Sequence, residues 1–414
     1  MDRTGSGGPS GYGKEPRKIP TGPRAMTQKT DWLFKGTGRK LTAMLSSEVQ
    51  PSPLIVTSSG GYNLVCSYNW LERNNPTVYV PGDPPRYVPR PVPISLARDL
   101  GRYFIDQNQF RVPEYPFEVV FRALEVMNPD YKFNNVDVLV NRNTLQKLLD
   151  YCAGKQHNDF RLNLFVVQNT LIIERCEEKL VDMIRGVGNN GWGHNFEAAI
   201  TRSLPGMENI VGYHRVLEYY LGNLRCAVRF EVDAFVDDNS GIDASLAAQV
   251  GSLSLATPTT DLVDTLKALQ IREAETGKEL SNIHVISRGS FVPHTHAAEI
   301  KSIGRPKSLS EILPQLWFGR TQNLIRGHHN DGVFHKIDVS NVGQDLRVWE
   351  TQLRPQDALR KVVTLLGQLR RIAQNSEGKA CVVVVQKQFL KVFSATERKT
   401  ALPEDVTEKF WAKK

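Results

Sequence analysis

The sequence contains few cysteines and no long hydrophobic run. Five cysteines are scattered over 414 residues, and no two of them form a C-x-x-C pair, which argues against a disulfide framework and a structural zinc site. No apolar stretch approaches the roughly 18 to 20 residues that a membrane helix needs, and the N-terminus lacks the apolar core of a signal peptide. These absences predict a soluble protein of the nucleus or cytoplasm without membrane contact, the nucleus being favoured.

Motifs of the common covalent hydrolases are missing as well. There is no Gly-x-Ser-x-Gly elbow, and no cysteine stands in a catalytic context with a histidine. His294 and His296 could chelate a metal, but no third ligand stands at a suitable spacing. Catalysis through a covalent enzyme intermediate is therefore not predicted.

Positive charge is concentrated at the N-terminus. The first 40 residues carry nine Lys or Arg against three Asp or Glu, which accounts for +6 of the net charge of +8. This Gly-, Pro- and Ser-rich segment is predicted to be disordered. It could attract a polyanion, or serve only as a solubilising or localisation tail. We predict a basic tail at residues 1–45, one domain at 46–400 with an insertion at about 237–283, and a C-terminal tail at 401–414.

Strand-like and helix-like segments alternate through the body of the chain. Residues 160–177 predict a β-hairpin that turns near Gln168, and residues 225–236 predict one buried strand. Helices are predicted for residues 94–110 and 309–326. This interleaving predicts an α/β protein of the mixed α+β type, with a central mixed β-sheet flanked by helices in a single large domain.

Two predicted strands place pairs of charged residues among apolar neighbours. Glu231 and Asp233 are separated by one valine, and Glu299 and Lys301 by one isoleucine. Because alternate residues of a strand share one face, each pair projects onto one side of a sheet. Burying this much charge is costly unless a cation or a reaction requires it. Carboxylates that bind divalent ions, beside a lysine that orients or deprotonates water, suit metal-assisted phosphodiester cleavage. Taken alone, Glu299 and Lys301 are also typical of a surface cross-strand pair.

The order of these motifs resembles the DXO family of decapping nucleases. The arginine motif of the family is matched by VNRNTLQKLL with Arg142, and the glycine-to-glutamate motif by WGHNFE with Glu197. EVDAFVD matches the acid-x-acid motif, EIK matches the Glu-x-Lys motif, and the predicted helix ending RTQNLIRG supplies Gln322. The resemblance covers roughly residues 54–397 and implies a PD-(D/E)xK nuclease-like fold.

The resemblance also implies a role for each matched residue. One or two Mg²⁺ or Mn²⁺ ions would be bound by oxygen donors, namely Glu197, Glu231, Asp233, Glu299 and the carbonyl of Ile300. The implied catalytic residues are Glu231, Asp233, Glu299 and Lys301. The residues implied to contact substrate are Arg142, Glu197, Lys301 and Gln322. The substrates would be RNA 5′ ends that bear a triphosphate, an incomplete cap or an NAD cap, and some members then degrade the RNA 5′ to 3′.

Three departures from the family pattern leave the shape of the 5′-end pocket open. Asparagines flank Arg142, Asn195 stands where the family has a basic residue, and Glu299 follows Asp233 by 66 positions. Two alternatives therefore remain. The chain could be a catalytically silent RNA-binding scaffold that stabilises a partner 5′-to-3′ exoribonuclease, or it could apply the same core to DNA.

Overall fold

The strands and helices are those of a computed structural model that describes residues 30–155, 158–185, 191–207, 209–237, 282–305, 308–397 and 400–411. The chain divides into two units, residues 1–35 and residues 36–414. In its described part the first unit contains a short 3-10 helix, Asp31–Phe34.

The second unit contains all the strands of the described residues. In chain order they are β1 Thr37–Leu45, β2 Asn63–Leu71, β3 Thr77–Gly82, β4 Arg86–Tyr87, β5 Ile94–Ser95, β6 Leu100–Phe104, β7 Val138–Asn141, β8 Phe160–Val167, β9 Thr170–Cys176, β10 Val181–Arg185, β11 Thr201–Arg202, β12 Ile210–Leu221, β13 Leu224–Glu231, β14 Ala234–Phe235, β15 His284–Gly289, β16 Ala297–Ile303, β17 Asn323–Asn330, β18 Val333–Asn341, β19 Ala380–Gln386 and β20 Phe389–Ala395.

The α-helices of the described residues also belong to this unit. They are α1 Gln107–Arg111, α2 Glu118–Met127, α3 Arg142–Cys152, α4 Gly193–Ile200, α5 Leu313–Gly319, α6 Gly343–Thr351, α7 Leu353–Gln374 and α8 Glu404–Phe410. Short 3-10 helices occupy Ser46–Glu48, His294–His296, Leu309–Glu311 and Glu377–Lys379. None of the helices in the described ranges is long and apolar enough to cross a membrane.

Eleven strands form one mixed sheet in the order β1-β20-β19-β8-β9-β7-β13-β12-β2-β3-β15. Strand β7 pairs in parallel with β9 and β13, and β15 pairs in parallel with β3. The other neighbours pair antiparallel. The valine run of β19 is typical of a strand that is buried on both faces. The mixed sheet flanked by helices confirms the predicted fold class.

Helices cover both faces of this sheet because its strands send alternate side chains into different cores. Val138 and Val140 of β7 pack into one core with helices α3, α5, α6 and α7. Leu139, between them, packs into the other core with α2 and α8. The sheet is therefore the middle layer of the domain.

A second sheet has seven strands in the order β11-β4-β14-β16-β17-β18-β5. Helix α4 packs on it through Phe196, whose ring stacks on that of Phe334 with centroids 4.3 Å apart. A Cβ at Gly327 would collide with the Phe196 ring, so glycine is needed for the helix to lie this close. This contact positions Glu197, the next residue of α4, over the sheet.

The chain crosses between the two sheets at the acid-x-acid motif. Strand β13, in the large sheet, ends at Glu231, and β14, in the smaller sheet, begins at Ala234. The prediction of a single strand over residues 225–236 is therefore wrong. The N–H of Val232 still donates to the carbonyl of Tyr213 over 2.9 Å, but Asp233 lies between the two strands.

The predictions of one continuous helix over residues 94–110 and another over residues 309–326 are also wrong, because each segment contains a shorter helix and at least part of a strand. Residues 94–110 contain β5, β6 and α1, because the Asp106 carboxylate accepts the Gln109 N–H over 2.9 Å and begins a new helix there. Residues 309–326 form a 3-10 turn, α5 and β17. Helix α5 ends where Arg320 takes the left-handed conformation (φ 52°). The hairpin over residues 160–177 is confirmed as β8 and β9.

The folded part extends beyond both predicted domain boundaries. Strand β1 lies within the predicted N-terminal tail and pairs with β20. Helix α8 lies within the predicted C-terminal tail, and the side chains of Phe410 and Trp411 are buried. The rest of the predicted basic tail, up to residue 29, and most of the predicted insertion, residues 238–281, lie outside the described residues.

Candidate active site

Three separate segments bring four acidic side chains to the wall of one cavity of about 2250 Å³. Glu231 ends β13, Asp233 follows it, Glu299 lies on β16 and Glu197 lies on α4. Lys301, Ile300 and Arg142 line the same cavity. We call Glu197, Glu231, Asp233 and Glu299 the carboxylate centre.

Glu299 is buried and surrounded by hydrogen-bond donors. The Nζ of Lys301 lies 2.6 Å from its Oε1, and the Nη1 of Arg142 lies 3.1 Å from its Oε2. Glu299 and Lys301 are two positions apart on β16, so they share one face as predicted. The side-chain amide of Gln315 donates to the same Oε1 of Glu299.

Arg142 reaches this position from the junction of a strand with a helix. It is the first residue of α3, directly after β7, and its guanidinium lies over the ring of Phe230 at 5.1 Å. A Cβ at Gly319 would lie 3.1 Å from the Nη1 of Arg142. The absence of a side chain at Gly319 therefore leaves room for the arginine to reach Glu299.

Asp233 and Glu231 reach the cavity at the crossing between the sheets. The Oδ2 of Asp233 accepts the N–H of Ile300 over 2.8 Å, which fixes this acid beside β16. The exposed surface of Glu231 faces the cavity. A Cβ at Gly212 would lie 2.6 Å from the Oε1 of Gln107 and 3.0 Å from the Oε1 of Glu231. Glycine at this position leaves both side chains space where they are.

Glu197 is positioned by the start of α4. The carboxylate of Asp99 accepts the N–H of Asn195 over 2.9 Å and that of His194 over 3.3 Å, so the helix is capped by a residue distant in sequence. The side chain of Asn195 donates to the carbonyls of residues 97 and 98. Asn195 therefore fixes the helix start rather than contributing positive charge.

The four acids differ in their electrostatic surroundings. Burial, together with the neighbouring charges of Asp233, Glu231 and Glu299, raises the pKa of Glu197 well above its usual value. Glu231 is exposed only toward the cavity, and loss of hydration there raises its pKa to about 7, against the opposing effect of Arg142. Burial and then Glu299 raise the pKa of Asp233 to about 7. Burial is the largest cause in all three groups, and repulsion between the carboxylates adds to it.

Glu299 and Lys301 behave in the opposite way. Burial alone would raise the pKa of Glu299, but Lys301 and Arg142 bring it below its usual value. Burial would lower the pKa of Lys301, but Glu299 and Asp233 raise it. This pair is therefore a carboxylate and an ammonium ion at neutral pH.

The donor chemistry of the centre suits hard divalent cations. Neither Glu197 nor Glu231 uses its carboxylate in a hydrogen bond or ion pair with any other residue of the described ranges. Among those residues no three His, Cys, Asp or Glu side chains are already clustered tightly enough to hold a metal ion. Carboxylate oxygens without thiolate or paired imidazoles nevertheless fit Mg²⁺, Mn²⁺ or Ca²⁺ rather than zinc.

The glutamine at the centre is Gln315, not Gln322. Gln322 is exposed in the segment before β17 and is not among the residues that line the cavity. The sequence predicts a helix that continues to residue 326. In the structure helix α5 ends at Gly319, seven positions earlier, because Arg320 takes the left-handed conformation. Gln315 could have been found because it is an amide in the apolar run LPQLWF. A buried amide in such a run needs a polar partner.

Most of the predicted site residues are thus brought together. Lining the one cavity are Arg142, Glu197, Glu231, Asp233, Glu299, Ile300 and Lys301. Ile300 contacts an acid through its N–H, and the predicted use of its carbonyl stays a prediction. The roles of the other residues in metal binding and catalysis likewise stay predictions.

A family model described as "Domain of unknown function (DUF8563)" matches residues 39–411. The chain belongs to this family. A search of curated protein sequences finds no match.

Solved structures of Rai1 proteins share the fold. S. pombe Rai1 matches with a TM-score of 0.53 at 12% identity, over 85% of this chain and 98% of that one. Scheffersomyces stipitis Rai1 in complex with (3′-NADP)⁺ and calcium ion matches with 0.54 at 11% identity, over 90% and 98%. Candida albicans Rai1 in complex with pU5-Mn²⁺ matches with 0.50 at 12% identity, over 89% and 98%. This likeness confirms the predicted resemblance to the decapping nucleases at the level of the fold.

Proposed function

We propose that this protein is a metal-dependent hydrolase that removes aberrant or non-canonical 5′ ends from RNA. The observation that carries the proposal is the convergence of Glu197, Glu231, Asp233, Glu299 and Lys301 on one cavity wall. These residues come from three segments that are distant in sequence, and two of the acids have no partner within the described residues. Carboxylates held this close repel one another, which favours a function that requires them.

Glu197, Glu231, Asp233 and Glu299 would hold one or two Mg²⁺ or Mn²⁺ ions. When bound, such ions supply Lewis-acid stabilisation of the charge that develops on the phosphoryl oxygens. The protein contributes the placement of the ligands. Asp233 is held by the N–H of Ile300, and Glu299 is held by Arg142 and Gln315.

Lys301 and Arg142 would act on the reacting phosphate and water. A protonated Lys301 can donate to the attacking water and orient it, but it cannot accept the proton of that water. The oxygen of the water would form a bond to phosphorus, the bridging P–O bond would break, and the proton would pass to solvent. Arg142 presents a planar guanidinium that suits a phosphate oxygen pair.

The cavity is large enough for a nucleotide 5′ end. Its volume of about 2250 Å³ exceeds that of ordinary small-molecule pockets, which are roughly 300 to 1,000 Å³. The Rai1 proteins that share the fold support this ligand class, since one is in complex with pU5-Mn²⁺ and another with (3′-NADP)⁺ and calcium ion. The 5′ groups we propose are a triphosphate, an incomplete cap or an NAD cap. Removal of the RNA body 5′ to 3′ would be a further activity of the same site.

The test is hydrolysis of short RNAs that carry each of these 5′ groups. We expect the native protein to release pyrophosphate, a cap fragment or a dinucleotide in the presence of manganese. The double variant Glu231→Ala/Asp233→Ala should lose this activity by at least about a thousandfold. The matched control is Glu114→Ala/Glu311→Ala, which removes two exposed carboxylates outside the cavity and should retain full activity.

An intact 5′ end on every RNA, with native protein and double variant behaving identically, would contradict the proposal. RNA binding without turnover, together with co-purification of a 5′-to-3′ exoribonuclease, would favour the scaffold alternative. Hydrolysis of DNA oligonucleotides in preference to RNA would favour the DNA alternative.

A further inference from the structure

A cluster of arginines and phenylalanines on the cavity wall lies outside the carboxylate centre. It consists of Arg102 and Phe104 on β6 and of Phe110 and Arg111 on α1, and we call it the arginine–phenylalanine patch. The two phenylalanine rings have centroids 5.1 Å apart. The guanidinium carbon of Arg102 lies 4.8 Å from the Phe110 ring and 5.3 Å from the Phe104 ring, and that of Arg111 lies 5.5 Å from the Phe104 ring.

The positive charge of this patch is not neutralised. Among the described residues neither Arg102 nor Arg111 forms an ion pair with a carboxylate, although other arginines of the cavity wall do, such as Arg175 with Glu177 at 2.8 Å. Burial and then Arg102 lower the pKa of Arg111, and Glu72 opposes this shift without cancelling it. The Nε of Arg111 is buried and has no hydrogen-bond partner. Two guanidinium groups that repel each other in this way favour an anion between them.

The patch also presents aromatic surface. Phe110 is 37% exposed although it is a large apolar side chain. An aromatic ring beside guanidinium groups is the combination that binds single-stranded nucleic acid, since the ring stacks on a base and the cations hold the backbone.

Two connections place the patch next to the carboxylate centre. Gln107 begins α1 and approaches Glu231 at Gly212, and Arg111 lies one turn further along the helix, roughly 6 Å along its axis. Tyr103, between the two patch residues of β6, stacks on His194 with centroids 3.7 Å apart. His194 precedes Glu197 by three positions on α4, so the two share one helix face.

We propose that the arginine–phenylalanine patch binds the phosphodiester backbone and a base of the single-stranded RNA that follows the 5′-terminal group. This proposal rests on the proposed function and specifies its substrate class. The site would select a 5′ end that is attached to an RNA chain over a free dinucleotide, because only the chain reaches both the patch and the carboxylate centre.

The test measures binding of 5′-phosphorylated oligouridylates of two and eight nucleotides to the full chain by fluorescence anisotropy, with calcium as the only divalent ion. We expect the native protein to bind the octanucleotide at least tenfold more tightly than the dinucleotide. Arg102→Gln should lower the affinity for the octanucleotide about tenfold. The plot of the logarithm of the association constant against the logarithm of the salt concentration should become less steep by about 0.7, as expected for one lost phosphate contact. The affinity of this variant for the dinucleotide should not change.

Phe110→Leu separates stacking from charge. It keeps an apolar side chain but removes the aromatic ring, so we expect the affinity for the octanucleotide to fall about tenfold. The salt dependence of binding should not change, because no charge is lost. The matched control is Arg288→Gln. Arg288 also lies over an aromatic ring, Tyr79 at 4.9 Å, but it is not among the residues that line the cavity, and its replacement should alter neither affinity.

An Arg102→Gln variant with native salt slope and native octanucleotide affinity overturns this inference, as does an equal loss for both oligonucleotides. If that result accompanies manganese-dependent hydrolysis by the native protein, the proposed function stands and only the patch fails. If octanucleotide binding depends on the patch but the native protein hydrolyses no RNA, the RNA-binding role of the patch is supported and the proposed hydrolase function is contradicted. A native protein that binds neither oligonucleotide overturns both.

Discussion

The two sides of the carboxylate centre balance their charge in different ways. On one side Glu299 is in contact with Lys301, Arg142 and Gln315. On the other side Glu197 and Glu231 face the cavity and form no ion pair with a cation of the described residues. The charge of Glu299 is therefore balanced within the protein, whereas the charges of Glu197 and Glu231 are left for protonation or for a cation from solution. This difference indicates which acids are already held by partners in the protein and which face the cavity without one.

The largest expected effect is the difference in stability between two variants that each neutralise an acid on one side of the centre. Glu299→Gln should lower the free energy of unfolding by about 3 kcal/mol, because the buried Arg142 and the partly buried Lys301 lose their anion. Glu231→Gln should leave this free energy unchanged or slightly raised, because it removes a repulsive charge. Urea unfolding of both variants measures the difference. Equal losses would show that the two sides do not differ.

The second effect is stabilisation by a divalent ion. Manganese at one hundred times its Kd should raise the free energy of unfolding of the native protein by about 2.7 kcal/mol, which calorimetry would record as a rise in Tm of several degrees. Glu231→Gln should show a clearly smaller rise at the same concentration, because that side lacks a cation of its own. An equal rise in both proteins would place the ion elsewhere.

A smaller effect should follow from crowding Arg142. The Cβ of Gly319→Ala would lie 3.1 Å from the Nη1 of Arg142 and 3.0 Å from the Oγ1 of Thr321, so we expect the guanidinium to shift and turnover to fall about tenfold. The control is Gly367→Ala in α7, where a Cβ meets no atom within 4 Å. It should keep full turnover and gain up to about 1 kcal/mol in stability. Native turnover in Gly319→Ala would count against a positioning role for Arg142.

The smallest effect distinguishes the two glutamines. Gln315→Ala removes a hydrogen bond to an ionised carboxylate and should lower turnover about fivefold. Gln322→Ala, on the exposed side chain, should match the native protein. The reverse result, measured under the same conditions, would restore the glutamine that the motif order indicated.

Local patterns predicted the parts of the fold that depend on neighbouring residues. The hairpin β8–β9 and the shared face of Glu299 and Lys301 both follow from short-range rules of period and turn chemistry. The prediction of one helix over residues 94–110 missed a local signal, because the Asp106 carboxylate accepts the N–H of Gln109 only three positions away. At the end of α5 a distant residue takes part as well, since the guanidinium carbon of the buried Arg320 lies 4.1 Å from the ring of Tyr219.

The sequence by itself determined the types of residue available and their order, and through these the mixed fold and most of the carboxylate centre. Only the tertiary structure decided which glutamine reaches Glu299 and where, between Glu231 and Ala234, the chain leaves the large sheet. It also decided that Arg102 and Arg111 lie against the same phenylalanine ring. The physical reason is that a side chain's direction follows from local backbone geometry. Its neighbours follow from strand order and helix packing, which depend on contacts between residues far apart in the chain.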